Sequence, residues 1–110
     1  ALAILNDQHG RRQDPMIPFF GIPAYTHTTP ARLHLAAKVP LCFGYCVRTE
    51  YGKFHLHMDP PIQYKPTGDK QADIRAILEM LNRCLEGAIR KHPDQYLWAH
   101  RRWKQLRPLE

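Results

Sequence analysis

The sequence predicts an α/β fold in which helices flank a mixed β-sheet. Short segments whose apolar residues alternate with period two are typical of strands, and a long apolar stripe with helical spacing lies between residues 69 and 91. The predicted order is strand, helix, strand, strand, helix, helix, which is an α/β arrangement. The 110 residues, of which 44% are hydrophobic, suit one domain with one modest core.

The first predicted element is a strand, the wholly apolar run "ALAIL" at residues 1–5. An uninterrupted apolar run is typical of a strand that is covered on both faces. Asp7 and Gln8 follow at its carboxyl end, which is where ligands bind in open α/β sheets. The segment after them, residues 9–25, is rich in glycine and proline and is predicted to be a loop.

Three helices are predicted farther along the chain. The first should start near Thr29, a good N-cap followed by a proline, and stop before Pro40, because the residue preceding a proline disfavours helix. The second runs from about Asp69 to Lys91 and follows a proline-rich linker. A third helix over residues 93–107 is predicted, and the residues on one of its faces would be Tyr96, His100, Trp103 and Arg107.

Two strands joined by a turn are predicted between the first two helices. In the first strand, residues 41–48, large apolar residues alternate with small ones, which predicts a central strand packed closely under a helix. The second strand covers residues 53–59. The residues predicted to point inward from it are Phe54, Leu56 and Met58.

Cysteines and histidines on these strands raise the alternative of a metal site. Cys42, Cys46, His55 and His57 are metal-ligand types, but structural zinc sites usually have tighter cysteine spacing on loops. We favour the hypothesis that the cysteines are small residues of a strand and that the histidines are exposed or lightly paired. We therefore expect no metal. The three cysteines have no framework spacing and indicate buried thiols in a reducing compartment.

The net charge of +6 favours an anionic partner such as nucleic acid, anionic lipid or a phosphorylated ligand. The closing segment mixes Trp98 with three cations that scatter around the predicted helix. These cations are Arg101, Arg102 and Lys104. A nucleic-acid footprint gathers its charge on one side, so a basic RNA- or anionic-lipid-binding module is the alternative and not the favoured hypothesis. In a third interpretation, Tyr96 and Trp103 pack onto the domain, and the arginines are solvated or pair with acidic residues. There is no apolar run long enough to span a membrane, and we expect no signal peptide and a chain that is itself soluble or peripheral.

Three stretches, in the right order along nearly the whole chain, resemble one family. "AILNDQHG", "IPFFGIPAYTHTTPARLHLAAKVP" and "HPDQYLWAHRRWK" are similar to motifs of the bacterial lipid A late acyltransferases, the lauroyl and myristoyl transferases. The resemblance implies a partial fold of the glycerolipid acyltransferase type. It also implies transfer of an acyl chain from acyl carrier protein to a lipid A precursor at the cytoplasmic face of the inner membrane, with no cofactor and no nucleic acid.

The catalytic motif of that family is a histidine and an acidic residue separated by four positions, with the histidine as general base. His9 and Asp14 have this spacing, but they follow the Asp-Gln motif, whereas the family's motif precedes it. We therefore treat the match as chance and expect the catalytic pair, and a membrane anchor, upstream. On this interpretation residues 1–108 are the C-terminal part of an acyltransferase domain, inactive alone, and residues 109–110 are a vector-derived tail.

The resemblance gives two sets of residues near the expected active site. Asp7 and Gln8 would brace the catalytic histidine or a substrate hydroxyl, or make a structural hydrogen bond to a neighbouring loop. Phe19, Phe20 and Gly21 would form an apolar wall beside the acyl chain, or fill a corner of the core.

A further set would contact phosphate. The amino end of the helix at Thr29, with hydroxyls from Thr26 and Thr28, would offer donors to a phosphate of the lipid or of the carrier's prosthetic arm. The three cations of the closing segment would contact lipid A phosphates or the acidic surface of the carrier protein.

Two departures from the family's pattern affect the expected substrate. Pro30 stands where the family usually has glycine, and Lys38-Val39-Pro40 replaces a usual Gly-Ala-Pro approach to the next strand. These departures leave open both the acyl chain length and the acceptor, which could be another lipid, such as an ornithine lipid or a glycolipid. A domain that has lost catalysis is a further alternative.

Overall fold

The computed structural model describes residues 2–5, 10–96 and 102–103, which form two helices and two antiparallel hairpins. The elements in chain order are β1 (Met16–Phe19), β2 (Ile22–Tyr25), α1 (Thr29–Ala37), β3 (Gly44–Glu50), β4 (Lys53–Met58) and α2 (Lys70–Lys91), followed by a 3-10 turn at Pro93–Gln95. A small α/β architecture is confirmed. The predicted mixed sheet is wrong for these residues, because β1 pairs only with β2 and β3 only with β4.

The segment predicted to be a loop contains the β1–β2 hairpin. Its register pairs Met16 with Tyr25 and Phe19 with Ile22, and the turn between the strands places Phe20 and Gly21 at positive φ. The prolines of both strands hide the strand pattern in the sequence. A two-stranded sheet tolerates them, since both of its strands are edge strands.

Side chains of α2 satisfy backbone groups of β1. Arg75 donates from Nη1 to the Met16 carbonyl over 3.0 Å, and Asn82 donates from Nδ2 to the Pro18 carbonyl over 3.1 Å. The backbone N–H of Phe20 donates to the carboxylate of Glu86. The helix therefore fixes the hairpin by hydrogen bonds as well as by packing.

The β3–β4 hairpin has the predicted turn but a different exposed face. The residues that were predicted to point inward, Phe54, Leu56 and Met58, are 68%, 66% and 57% exposed. No described element covers that side of the two-stranded sheet, so period-two alternation identified the strands without identifying the buried face. The predicted central position of β3 is also wrong for the described residues. Because β3 pairs only with β4 there, it is an edge strand.

The predicted first strand is also not formed in the described part of the chain. Residues 2–5 pair with no described strand, and Leu2 and Leu5 are 75% and 93% exposed. The covering layers that such an apolar run requires are not provided by the described residues.

The two main helices follow the sequence closely. Asp69 is the N-cap of α2 and accepts a hydrogen bond from the Ala72 N–H over 3.2 Å, and the predicted apolar stripe is buried. Helix α1 starts at Thr29 with Thr28 as its N-cap, one residue before the predicted cap, and ends at Lys38 in the left-handed conformation. No helix in the described ranges is long and apolar enough to cross a membrane.

The core consists of two neighbouring clusters along α2. The first packs the amino-terminal half of α2 against Ile17 of β1 and Ala31 of α1. The second packs Ile89 against Phe19 and Ala24 of the hairpin. The partly buried residues that complete the second cluster are Phe20, Leu85, Tyr96 and Trp103.

The closing segment is not a helix from its predicted start. Only Pro93–Gln95 is helical, as one 3-10 turn, and Tyr96 is in the extended region. The Tyr96 ring lies 6.2 Å from the Phe19 ring, so packing against the hairpin competes with helix formation at this point. Residues 102–103 form part of a turn, and the rest of the predicted helix lies outside the described residues.

Candidate functional site

An apolar cleft lies between the N-terminal residues 2–5, strand β3 and helix α2. Its volume is about 570 Å³, which falls within the range of roughly 300–1,000 Å³ typical of small-molecule sites. The apolar side chains that line it include Leu5, Phe43, Val47, Leu56, Leu85 and Ala88. Hydrocarbon surface therefore dominates the described wall of the cleft.

The alternation within β3 explains why a cleft exists there. Gly44 and Cys46 are small residues on this strand, and both lie in the wall of the cleft together with their register partners on β4, Met58 and Leu56. Small side chains leave space beside the strand, where larger ones would fill it. The predicted small-residue face of β3 thus borders a cavity and not a tightly packed helix.

Polar groups of the cleft are few and mostly engaged within the protein. Asn82 donates its amide to Pro18, and the Gln95 side chain bonds both the N–H and the carbonyl of Arg48, at 2.7 and 2.9 Å. His92 contributes the only imidazole, and no carboxylate is present, among the described lining residues. The cleft is suited to binding an apolar chain.

The Phe-Phe-Gly turn lies in the core and is not part of this cleft. Phe19 is fully buried, with its ring 4.8 Å from the Phe20 ring and stacked 5.3 Å from the Trp103 ring. The Arg90 guanidinium lies 5.1 Å from the centre of the Phe20 ring, and Gly21 is exposed at the turn. Of the two alternatives for this turn, the geometry matches a corner of the core.

Thr26 and Arg102, both predicted to contact phosphate, contact each other. Thr26 is fully buried, its hydroxyl donates to the Ala24 carbonyl over 2.9 Å, and it accepts from Arg102 Nη2 over 3.1 Å. Arg102 is 1% exposed and also donates from Nη1 to the Tyr25 carbonyl over 2.7 Å. Its guanidinium therefore faces the protein interior. The RNA-binding alternative therefore loses one of its cations.

Thr28 and Thr29 remain at the accessible amino end of α1. The Thr28 side chain makes no capping hydrogen bond, and no acidic residue lies in the first turn. Close by in sequence, His27 Nδ1 lies 3.4 Å from a carboxylate oxygen of Asp14, which also accepts the Arg11 N–H over 2.7 Å. Asp14 therefore has a described histidine partner other than His9, which lies outside the described residues.

The histidines and cysteines of the second hairpin do not form a metal centre among the described residues, where no three metal-ligand side chains are close enough. His57 pairs with Asp59, with Nε2 and the carboxylate oxygen 2.8 Å apart, and His55 is exposed. Cys42 and Cys46 are exposed free thiols, so the prediction of buried thiols is wrong for both of them.

One polar cluster was not predicted from the sequence. Asp73 is buried in the first turn of α2 and accepts hydrogen bonds from the Tyr64 hydroxyl over 2.6 Å and from the Thr67 hydroxyl and N–H over 2.8 and 3.0 Å. The Tyr64 hydrogen bond is the main cause that lowers the pKa of Asp73, and the same bond raises the pKa of Tyr64. The only available signal was an acidic residue near a helix start, which is usually exposed.

Four predicted site residues lie outside the described part of the chain. These residues are Asp7, Gln8, Arg101 and Lys104, so their proposed roles remain predictions. The described residues Leu2 to Leu5, which precede Asp7 and Gln8, line the apolar cleft.

Comparison with known proteins adds a family to this geometry. A model of the bacterial lipid A biosynthesis acyltransferases matches residues 1–105. The chain is 29% identical over 106 residues to a lipid A biosynthesis palmitoleoyltransferase of Escherichia coli (strain K12) and to a lipid A biosynthesis acyltransferase of Shigella flexneri. The match covers 94% of this chain but 33% of each relative, so the chain spans about a third of their length.

Proposed function

Because this chain belongs to the bacterial lipid A biosynthesis acyltransferase family, we propose that it is the C-terminal part of a longer enzyme, here called the parent protein. The parent protein transfers a fatty acyl chain from the thioester of acyl carrier protein to a hydroxyl of a lipid A precursor. The observation that carries the proposal is the family match over nearly the whole chain. The parent protein acts at the cytoplasmic face of the inner membrane.

The apolar cleft supports a binding role for this part of the enzyme. Its size and hydrocarbon wall suit a fatty acyl chain, whose burial from water is favourable in proportion to the apolar area removed. We assign the acyl chain of the donor to the cleft. The wall that the chain contacts is formed by β3, β4 and α2, and the Phe19 ring is not part of it.

The chemical step needs groups from the rest of the parent protein. A histidine base takes the proton of the acceptor hydroxyl, the hydroxyl oxygen attacks the thioester carbonyl carbon, and the carbon–sulfur bond breaks to release the carrier thiol. Asp7 and Gln8 follow the lining residues 2–5 in sequence, so they are candidates to orient that histidine or the hydroxyl. On this proposal the chain alone has no activity.

Phosphates of the acceptor or of the carrier's prosthetic arm require donors near the cleft. Thr28 and Thr29 at the accessible amino end of α1, and the cations Arg101 and Lys104, keep that proposed role. Arg102 and Thr26 do not, because each is the other's hydrogen-bond partner. Pro30, which departs from the family's pattern, lies in the wall of the cleft, so we propose that this departure affects the length of acyl chain that the cleft accepts.

A matched pair of variants on β4 tests the assignment of the cleft. Leu56 and Phe54 are both exposed residues on the same face of the strand, but only Leu56 lines the cleft. In the parent protein, Leu56→Trp should narrow the cleft and lower kcat/KM for long acyl donors by roughly tenfold relative to short ones. Phe54→Trp should leave the ratio between donors unchanged.

Two results would contradict the proposal at different levels. If both tryptophan variants change the donor ratio equally, the acyl chain does not lie in this cleft. If the parent protein transfers no acyl group from acyl carrier protein to any lipid A precursor or related glycolipid, the proposed function itself fails.

A further inference from the structure

We infer that Arg102 is a positioning residue: its buried guanidinium, with the indole of Trp103, fixes the β1–β2 hairpin to the Gly10 segment. On the basis of composition alone this arginine belongs to a cluster of surface cations. The structure instead directs it inward, toward the carboxyl end of β2.

The guanidinium makes a two-pronged contact with successive residues. Nη1 donates to the Tyr25 carbonyl over 2.7 Å, and Nη2 donates to the Thr26 hydroxyl over 3.1 Å. The Thr26 hydroxyl donates its own proton to the Ala24 carbonyl over 2.9 Å, so its orientation is fixed. Arginine suits this arrangement because its planar fork presents two parallel donors, which the single ammonium of lysine does not.

A third segment meets at the same carbonyl. The N–H of Gly10 donates to the Tyr25 oxygen over 2.9 Å. A Cβ atom on residue 10 would lie 2.9 Å from backbone atoms of Tyr25 and Thr26, which only glycine avoids. The Tyr25 carbonyl therefore joins the Gly10 segment, the end of β2 and the closing segment at one point.

Trp103 holds the other end of the same strand. Its indole N–H donates to the Ile22 carbonyl over 3.2 Å, and its ring stacks on Phe19. The Arg102 guanidinium lies 5.3 Å from the centre of the Phe19 ring, within the range of cation–π attraction. Two adjacent residues of the closing segment thus fix both ends of β2.

This arrangement has a consequence for catalysis, which rests on the proposed function. Gly10 comes two residues after Gln8 in sequence, and Thr28 comes two residues after Thr26. One segment proposed to contact the reacting groups therefore continues from Thr26, which Arg102 binds, and the other from Gly10, which shares the Tyr25 carbonyl with Arg102. A displacement of about 1 Å in such a segment costs on the order of a hundredfold in rate.

The positioning role of Arg102 is tested first by hydrogen exchange in the parent protein, which requires no measurement of activity. Arg102→Gln should accelerate amide exchange in peptides that contain Gly10 and in peptides that contain Thr26, and Arg102→Lys should do so to a lesser extent. Arg83→Gln, which removes an exposed arginine of α2, should not change exchange in either region. If Arg102→Gln leaves the rate of amide exchange in both regions at the wild-type value, the positioning role of Arg102 is overturned.

A second variant keeps the test valid if Arg102→Gln does not fold. Thr26→Val retains the shape of the buried side chain and removes the acceptor of Nη2. Like Arg102→Gln, Thr26→Val should accelerate amide exchange at Gly10. Combined with Arg102→Lys it should give less than the sum of the two effects, because both changes break the same contact. Full additivity would overturn the proposed coupling.

Kinetics then separate positioning from phosphate binding and from mere stability. With rates normalised to the folded fraction, Arg102→Lys should lower kcat by about tenfold to a hundredfold at unchanged KM and unchanged salt dependence. A raised KM with altered salt dependence would make Arg102 a phosphate ligand, and an unchanged kcat would make it purely structural. Either result overturns the inference, whereas absence of acyl transfer in the wild-type parent overturns only the proposed function.

Discussion

At the scale of single residues, the carboxylate of Asp73 is the most connected acidic group in the described part of the chain. It is buried and receives hydrogen bonds from Tyr64 and Thr67, which belong to the linker before α2. Donors aimed at a carboxylate favour its charged form, and the pKa of Asp73 is lowered as a result. Deprotonated Asp73 therefore fixes the linker to the helix.

This environment predicts an acid-dependent loss of stability. A carboxylate whose pKa is lowered by folding contributes stability above its ordinary value of about 3.9, and that contribution is lost as the pH falls through the lower folded value. Asp73→Asn should therefore lower Tm at neutral pH, and its difference from wild type should shrink below about pH 4. Thermal melts of the parent protein from neutral to acid pH would check this. Asp94→Asn, at an exposed position, is the control, and a difference that is constant with pH would contradict the prediction.

Two glycines give opposite predictions for the same substitution. At Gly10 a Cβ would press on the backbone of Tyr25, so Gly10→Ala should destabilise the parent protein by roughly 1–3 kcal/mol. Gly87 lies inside α2, and a methyl group added there would meet no described atom of another segment within 4 Å. Gly87→Ala should therefore stabilise the parent protein by about 1 kcal/mol. Urea denaturation measures both. A stabilising Gly10→Ala would show that the close approach at Tyr25 does not exist.

At the scale of elements, the first two helices and the β3–β4 hairpin could be predicted from the sequence, and the β1–β2 hairpin could not. Helix α2 has a capping Asp69, an apolar stripe and a stop near His92, and all three signals are local. The β1–β2 hairpin was missed because Pro18 and Pro23 break the strand pattern. Its pairing depends on contacts from α2 that are distant in sequence, such as the hydrogen bond from Asn82 to Pro18.

The β3–β4 hairpin illustrates how one side chain can replace a missing strand. Gln95 bonds both backbone groups of Arg48, as a neighbouring strand would, at 2.7 and 2.9 Å. These two contacts fix the edge of β3 to the turn that follows α2. No residue pattern in the sequence indicates this pairing, because an exposed glutamine is ordinarily solvated.

Removing that side chain should loosen the hairpin selectively. Gln95→Ala is expected to lower the free energy of unfolding by about 0.5–1.5 kcal/mol and to accelerate amide exchange at Arg48. Gln71→Ala, which truncates an exposed glutamine in the first turn of α2, should neither lower the free energy of unfolding nor accelerate amide exchange at Arg48. Equal exchange at Arg48 in both variants of the parent protein would contradict the bridging role. Denaturation and exchange mass spectrometry provide the two measurements.

At the scale of the whole molecule, the resemblance predicted the family, and the described structure gives the surroundings of several predicted site residues. The family match over residues 1–105 confirms the motifs. The structure places Phe19 and Arg102 in the core, because aromatic and basic residues in a motif serve packing as readily as binding. The apolar cleft was not predicted, since its walls come from segments that are far apart in the sequence. Only a small-residue alternation in β3 hinted at it.

The net charge of +6 belongs to the whole chain and leads to the last prediction. If the proposed function holds, the cations other than the buried Arg102 are the ones that attract an acidic carrier protein over a distance. In the parent protein, KM for acyl groups on acyl carrier protein should therefore rise severalfold as ionic strength increases, because salt screens exposed charges. The control donor is the same acyl group on pantetheine, which lacks the acidic protein, and its KM should respond much less. Equal salt dependence for the two donors would show that the charge of this chain serves the acceptor lipid and not the carrier.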